Sequence, residues 1–235
     1  FDQRLDQLDR RRVLTPQPVY ARAYSRLGDV FYYIGREFED ALVQYDSAEQ
    51  YGYDTSDQDY RQGFVHYRLD EVEDALTEFR EAERDPAAVT NALLWAMANT
   101  HYRRQNYFAS QAFYDELLDR VELQRDRIRT LLLDEDPTHQ SIIEYLYKGY
   151  NNVGVALYRL SEQNPQDARL YSDSLVALTR STELAENYQR DPDTLSRNEA
   201  VDLAFLNQRE ALFPTPNYEM QIYNEIPEDL DDLLF

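Results

Sequence analysis

The groups in this chain that suit metal or acid–base chemistry are three histidines, His66, His101 and His139, and 45 Asp and Glu residues. They gather most densely in HYRLDEVEDALTEFREAERDP, from His66 to Pro86, which holds one histidine and eight carboxylates. A metal site needs several ligands converging at fixed offsets. The sequence has no HExxH and no helical Glu-x-x-His. DTSDQDY (Asp54 to Tyr60) alternates acids but lacks the glycine and terminal glutamate of a calcium loop, so turn and helix-cap duty is expected there. There is no P-loop, GxGxxG or G-x-S-x-G, and no cysteine. The absence of cysteine removes disulfides, thiolate zinc and cysteine nucleophiles, and fits cytosol or periplasm equally. No catalytic residue, metal site or cofactor is expected.

The elements that position these residues come from an internal period. Gly28, Gly63 and Ala98 are spaced by thirty-five residues, and Gly154 opens a fourth, looser copy. After each comes a triplet at i, i+4, i+7: Ala41/Tyr45/Ala48, Ala75/Phe79/Ala82, Ser110/Tyr114/Leu117 and Ser174/Leu178/Ser181. That spacing places each triplet on one helical face. The first copy carries one inserted residue in its turn, and an insertion around SEQNPQDARLYSD delays the second helix of the fourth. His66 and His101 both lie three residues after the glycine position, where Phe31 and Leu157 stand elsewhere, so they are expected to pack inside. His139 is expected in a surface linker. Glu71, Glu73, Asp74, Glu78, Glu81 and Glu83 fall mostly outside the packed triplet and read as solvated charge.

Scarce Gly and Pro, 6 and 9, argue for long helices rather than a β fold. FDQRLDQLDRRRVL reads as one short helix or a frayed end, with a helix start at Pro18. FYDELLDRVELQRDRIRTLLL reads as an overlong second helix. DPDTLSRNEAVDLAFLNQREALF adds one more, with Asp193, Thr194 or Ser196 as caps. Expected boundaries are 1–17 for the flank, 18–213 for the helical repeats and 214–235 for an extended acidic and apolar tail, disordered unless docked. The chain opens on Phe1 rather than Met, which reads as a fragment or a processed protein.

The period and the small–aromatic–small pattern resemble the tetratricopeptide repeat family over about residues 20–185. The resemblance implies an all-α fold: a right-handed superhelix of antiparallel helix pairs whose first helices line a concave groove. Offsets −3, +1, +4 and +5 from the glycine position share an arc of about 100°. On that arc the expected protein-binding residues are Tyr32, Tyr60, Phe64, Tyr67, Arg68, Trp95, Asn99, Tyr102, Arg103, Tyr158 and Arg159. Tyr, Trp and Arg are the residue types that dominate interface hot spots. Packing between units could also account for the +4 tyrosines and the basic residues at +5.

Net charge is −21, with one lysine, Lys148. Such a chain repels nucleic acid and anionic membranes. Salt-rich surroundings or genomic base composition would each give that bias. No run is long enough to span a membrane. The expected function is a non-catalytic scaffold or adaptor binding protein or peptide segments that carry acidic and aromatic residues, alone or within a homo- or hetero-oligomer. The alternative is a self-regulated or self-assembling protein whose tail docks in its own or a neighbour's groove. LLWAMANTHYRRQNYFASQAFYDEL and IYNEIPEDLDDLLF resemble the repeat-containing collar proteins of spirochaete periplasmic flagella. That resemblance implies a periplasmic assembly component of the flagellar motor; otherwise the chain would be cytoplasmic.

Overall fold

A computed structural model describes residues 18–131, 137–189 and 198–225. They divide between two compact units, Phe1–Val89 and Thr90–Phe235, a division inside the 18–213 span. The described residues are helical and contain no strand, so the fold class is all-α. The flank 1–17, the cap candidates Asp193, Thr194 and Ser196, and residues 226–235 lie outside the described residues.

The first unit holds α1 (Pro18–Val30), a π-helical turn (Phe31–Gly35), α2 (Phe38–Gln50), α3 (Ser56–Arg68), α4 (Val72–Glu83) and a 3-10 turn (Pro86–Ala88). Thr55 caps α3, its side chain accepting from the Gln58 N–H at 3.3 Å. This is the cap duty expected of DTSDQDY. α1 packs on α2 and α3 on α4. Their triplets Ala41/Tyr45/Ala48 and Ala75/Phe79/Ala82 are fully buried. The glycines opposite permit that approach. A Cβ on Gly63 would lie 2.5 Å from Phe79 Cδ1, and one on Gly28 would lie 2.5 Å from Tyr45 Cε1.

The residue inserted in the first copy does not lengthen the connection. It widens the end of the helix into the π turn, the usual way for a helix to absorb one extra residue. The turns that end the helices carrying Gly28, Gly63 and Ala98 each use a non-glycine residue in the left-handed region, Arg36 (φ 52°), Asp70 (φ 63°) and Gln105 (φ 60°), whereas the α2–α3 turn uses Gly52 (φ 88°). The Glu71 N–H donates to the His66 carbonyl and the Asn106 N–H to the His101 carbonyl, both at 2.9 Å. These are Schellman closures that satisfy the last carbonyls of each helix.

The second unit holds α5 (Asn91–Arg103), α6 (Tyr107–Leu131), α7 (Pro137–Gln163), α8 (Ala168–Gln189) and α9 (Asn198–Leu212), followed by a non-helical segment, 213–225. α5 packs on α6, α7 on α8 and α9 on α8. His139 lies in the first turn of α7, not in a linker. Proline at the first helical position starts this helix, because its fixed φ suits the turn and its missing N–H would find no partner there anyway. The insertion in the fourth copy also differs from a long loop. The break between α7 and α8 is only Asn164–Asp167, and the extra residues extend both helices. The triplet Ser174/Leu178/Ser181 remains fully buried. Its serines bind α7 directly: Ser174 Oγ donates to the Gly154 carbonyl at 2.8 Å and Ser181 Oγ to the Tyr147 carbonyl at 2.6 Å. Among the described residues no helix is long and apolar enough to cross a membrane.

Candidate protein-binding site

Four asparagines in mid-helix positions form a buried polar row in the second unit. Asn99 comes from α5, Asn151 and Asn152 from α7, and Asn207 from α9; all four side chains are fully buried. Asparagine is a weak helix former, and its buried amide needs partners. Here the partners are peptide groups of the segment 218–225. The Tyr223 N–H donates to Asn152 Oδ1 at 2.7 Å, while Asn152 Nδ2 donates back to the Tyr223 carbonyl at 3.0 Å. Asn207 does the same two residues earlier, accepting from the Gln221 N–H at 3.2 Å and donating to its carbonyl at 2.7 Å. Asn151 Nδ2 adds a second bond to the Gln221 carbonyl at 3.2 Å, and Asn99 Nδ2 a second to that of Tyr223 at 3.1 Å.

The asparagines are themselves held in place. Asn207 Nδ2 donates to Asn151 Oδ1 at 2.8 Å. Asn152 Nδ2 donates to Tyr114 Oη at 2.9 Å, and Tyr114 donates to Asn99 Oδ1. Tyr218 Oη donates to Asn207 Oδ1 at 2.8 Å. A network whose members are satisfied on both sides fixes the orientation of each amide toward the segment.

Alternate side chains of the segment go inward. Met220 and Ile222 join Val155, Leu178 and Ala211 in one buried cluster, with Tyr102, Tyr158, Leu175 and Tyr218 packed around it. Tyr223 sets its ring edge-on to Tyr147 at 6.0 Å, and Lys148 Nζ lies 5.8 Å from its centroid. Gln221 is exposed. Arg159 closes the rim, donating to Glu219 at 2.8 Å and Glu162 at 3.1 Å. Burial raises the Tyr102 hydroxyl pKa, opposed in part by its hydrogen bond with Arg159. Burial likewise raises those of Tyr158 and Tyr218. All three therefore stay neutral near neutral pH, Tyr102 accepting from Arg159 and Tyr218 donating to Asn207. The turn into the segment is fastened by Glu210, whose carboxylate accepts from the Thr215 N–H at 2.5 Å and from Thr215 Oγ1 at 2.7 Å.

The expected binding residues therefore fall into two groups. In the second unit Asn99, Tyr102, Tyr158 and Arg159 all surround the segment, and Arg103 is half-buried near the end of α5. Trp95 is instead fully buried, edge-on to Tyr114 at 6.1 Å and Tyr145 at 6.4 Å. In the first unit Tyr32, Phe64 and Tyr67 are also buried. Tyr60 is half-buried and stands edge-on to Phe64 at 4.8 Å, while Arg68 is exposed. The position that carries Asn99 in α5 carries Asp29 in α1, and Asp29 is engaged within its unit. It accepts two bonds from Arg61 at 2.7 and 2.9 Å and one from Tyr45 Oη at 3.0 Å.

Asn151, Asn152 and Asn207 were not among the expected site residues. Their signal in the sequence is a polar, poor helix former set among apolar residues within a helix. Tyr-Asn-Asn-Val-Gly and Phe-Leu-Asn-Gln both carry it.

The histidines divide. His101 is buried and stacks on Phe113 at 5.4 Å. His66 is half-buried, with Nδ1 at 2.7 Å from Glu71 Oε2. His66, Glu71 and Asp74 bring one ligand atom each within 4.8 Å of one another at the α3–α4 turn, where both acids are exposed. Glu78 is half-buried rather than fully solvated: burial, then the charges of Glu49 and Asp59, push its pKa up to about 7. Asp59 is pushed up to about 6 by burial, then by Asp54 and Glu49.

No known protein family and no curated protein matches this chain.

Proposed function

We propose that the protein is a non-catalytic interaction module that holds protein segments in extended form, and that α5, α7 and α9 carry the receptor surface. The observation that supports this most directly is the pair of two-bond contacts from Asn152 and Asn207 to alternate peptide groups. Main-chain bonds of this kind give affinity without regard to sequence, and side-chain pockets between them give selectivity. The preferred partner carries acidic and aromatic residues, met by Arg159, Arg103 and the tyrosines. A periplasmic flagellar collar is the assembly we propose as the setting, on the strength of the sequence resemblance alone.

The test is affinity capture from an extract of the source cells with the wild type and with Arg103→Glu/Arg159→Glu. Reversing both charges is expected to reduce capture of specific partners severalfold. Equal capture by the two forms would remove this surface as the interface. A second reading, self-regulation, is favoured by one observation: residues 218–224 of the same chain already occupy the surface.

A further inference from the structure

We propose that the second unit binds, in trans, an extended peptide with the pattern acid–aliphatic–x–aliphatic–aromatic, and that Glu219–Met220–Gln221–Ile222–Tyr223 is the resident competitor for that site. The proposal rests on the interaction-module reading and adds to it a ligand class and a means of control.

Three features carry it. First, the clamps at Gln221 and Tyr223 touch peptide groups, so a different chain in the same register would make the same bonds. Second, the pattern is set by what lies between the clamps. Positions 220 and 222 enter the cluster of Val155, Leu178 and Ala211, position 223 meets the Tyr147 ring, and position 221 is exposed and unconstrained. The acid at 219 pairs with Arg159 at the rim, with Glu219 82% exposed, and so contributes selectivity more than affinity. Third, the groups that face the segment's backbone are amides, Asn99, Asn151, Asn152 and Asn207, which water can satisfy when the strand leaves. Departure also uncovers Val155, Leu178 and Ala211, an apolar patch that favours re-occupation by a chain of the same pattern. The segment joins α9 through the exposed turn Phe213–Asn217, held at one point by Glu210 and Thr215.

The tether sets the strength of the competition. A segment on so short a linker acts at an effective concentration on the order of millimolar, so a free peptide of micromolar affinity is largely excluded. Release of the segment should then uncover the site.

The probe is a fluorescent peptide of residues 214–225, PTPNYEMQIYNE, added to the full chain and followed by anisotropy. Met220→Asp/Ile222→Asp, which drives the chain's own segment out, is expected to bind the peptide at least about tenfold more tightly than the wild type does. Adding Asn152→Ala to that variant should weaken binding again by about tenfold, and a peptide with Asp in place of Ile222 should not bind. If the variant keeps wild-type helicity yet does not bind, or if both forms bind equally, the proposal is overturned. Dimers formed by segment exchange, with no binding of the free peptide, would also overturn it. Should the double variant fail to fold, a protease site replacing residues 214–217 serves instead. Cleavage should allow labelled peptide to replace the resident segment, and a cleaved chain that never takes up label would refute the idea. Peptide binding without partner capture from extract would leave this inference standing and remove the scaffold reading; the reverse would do the opposite.

Discussion

Asn152 sits where two demands meet, since its carboxamide must accept from one peptide N–H and donate to the same residue's carbonyl. Asn152→Ala leaves both groups of Tyr223 without that partner, at a cost of about 1–3 kcal/mol. Amide hydrogen exchange of Tyr223 should accelerate while that of α8 stays slow. Asn152→Asp should be at least as damaging, because a carboxylate keeps the acceptor, loses the donor and faces the carbonyl of Tyr223. A second residue-scale prediction concerns Glu78. Its folded pKa of about 7 stands above the ordinary 4.5, so the folded state binds the proton more tightly than the unfolded chain. The fold therefore gains stability as pH falls from about 8 to about 5, and Asp59, at about 6, acts in the same direction. Glu49, Asp59 and Glu81 face Glu78 with like charge, and His66 opposes them. Glu78→Gln should stabilise α4 at pH 8, on the order of 1 kcal/mol after solvent screening, and should flatten the pH dependence. Hydrogen exchange of α4 at pH 8 and pH 5.5 measures this; unchanged pH dependence would refute it.

At the scale of elements, each helix pair of the first unit depends on a glycine facing a ring, Gly28 on Tyr45 and Gly63 on Phe79. Gly63→Ala would drive a methyl to 2.5 Å from Phe79, so either the ring or the helix must move. The expected loss is about 1–3 kcal/mol, read from a urea midpoint. The turns point the other way. Gln105 holds a left-handed φ of 60°, which costs an ordinary side chain about 1 kcal/mol. Gln105→Gly should raise the melting temperature, and a fall would show that the Gln105 side chain has a compensating contact. These elements were also the most legible in the sequence. Burial of Ala75, Phe79 and Ala82 follows from a helical period that can be counted along the chain. The π turn was not legible, because absorbing one residue in a helix or in a loop differs by a small local energy that no side-chain pattern records. The start of α7 at Pro137 was not legible either, because Asp-Glu-Asp-Pro suits both a linker and a helix opening.

For the whole molecule the governing property is charge. A formal −21 repels itself at neutral pH, and added salt screens exposed charges beyond about 8 Å at physiological strength. Raising sodium chloride should therefore raise the melting temperature, whereas a chain held mainly by its surface ion pairs would lose stability. The all-α class was visible from composition and period together. The surface that holds residues 218–224 was visible only in part: Asn99, Tyr102, Tyr158 and Arg159 stand on an arc the sequence defines. Asn207 lies on a helix outside the repeat register, so counting from the glycine positions could not reach it.

Lys148 is the chain's one lysine, and its ammonium lies 2.7 Å from Glu144 and 5.8 Å from the centre of the Tyr223 ring. The sequence thus offers amine-directed acylating reagents a single side-chain target, placed against a ring of the segment. The rate at which Lys148 gains one acetyl group, followed by mass spectrometry, becomes a chemical clock for occupancy of the site. It should run slowly in the wild type and faster in Met220→Asp/Ile222→Asp, and slow again when the free peptide is added back.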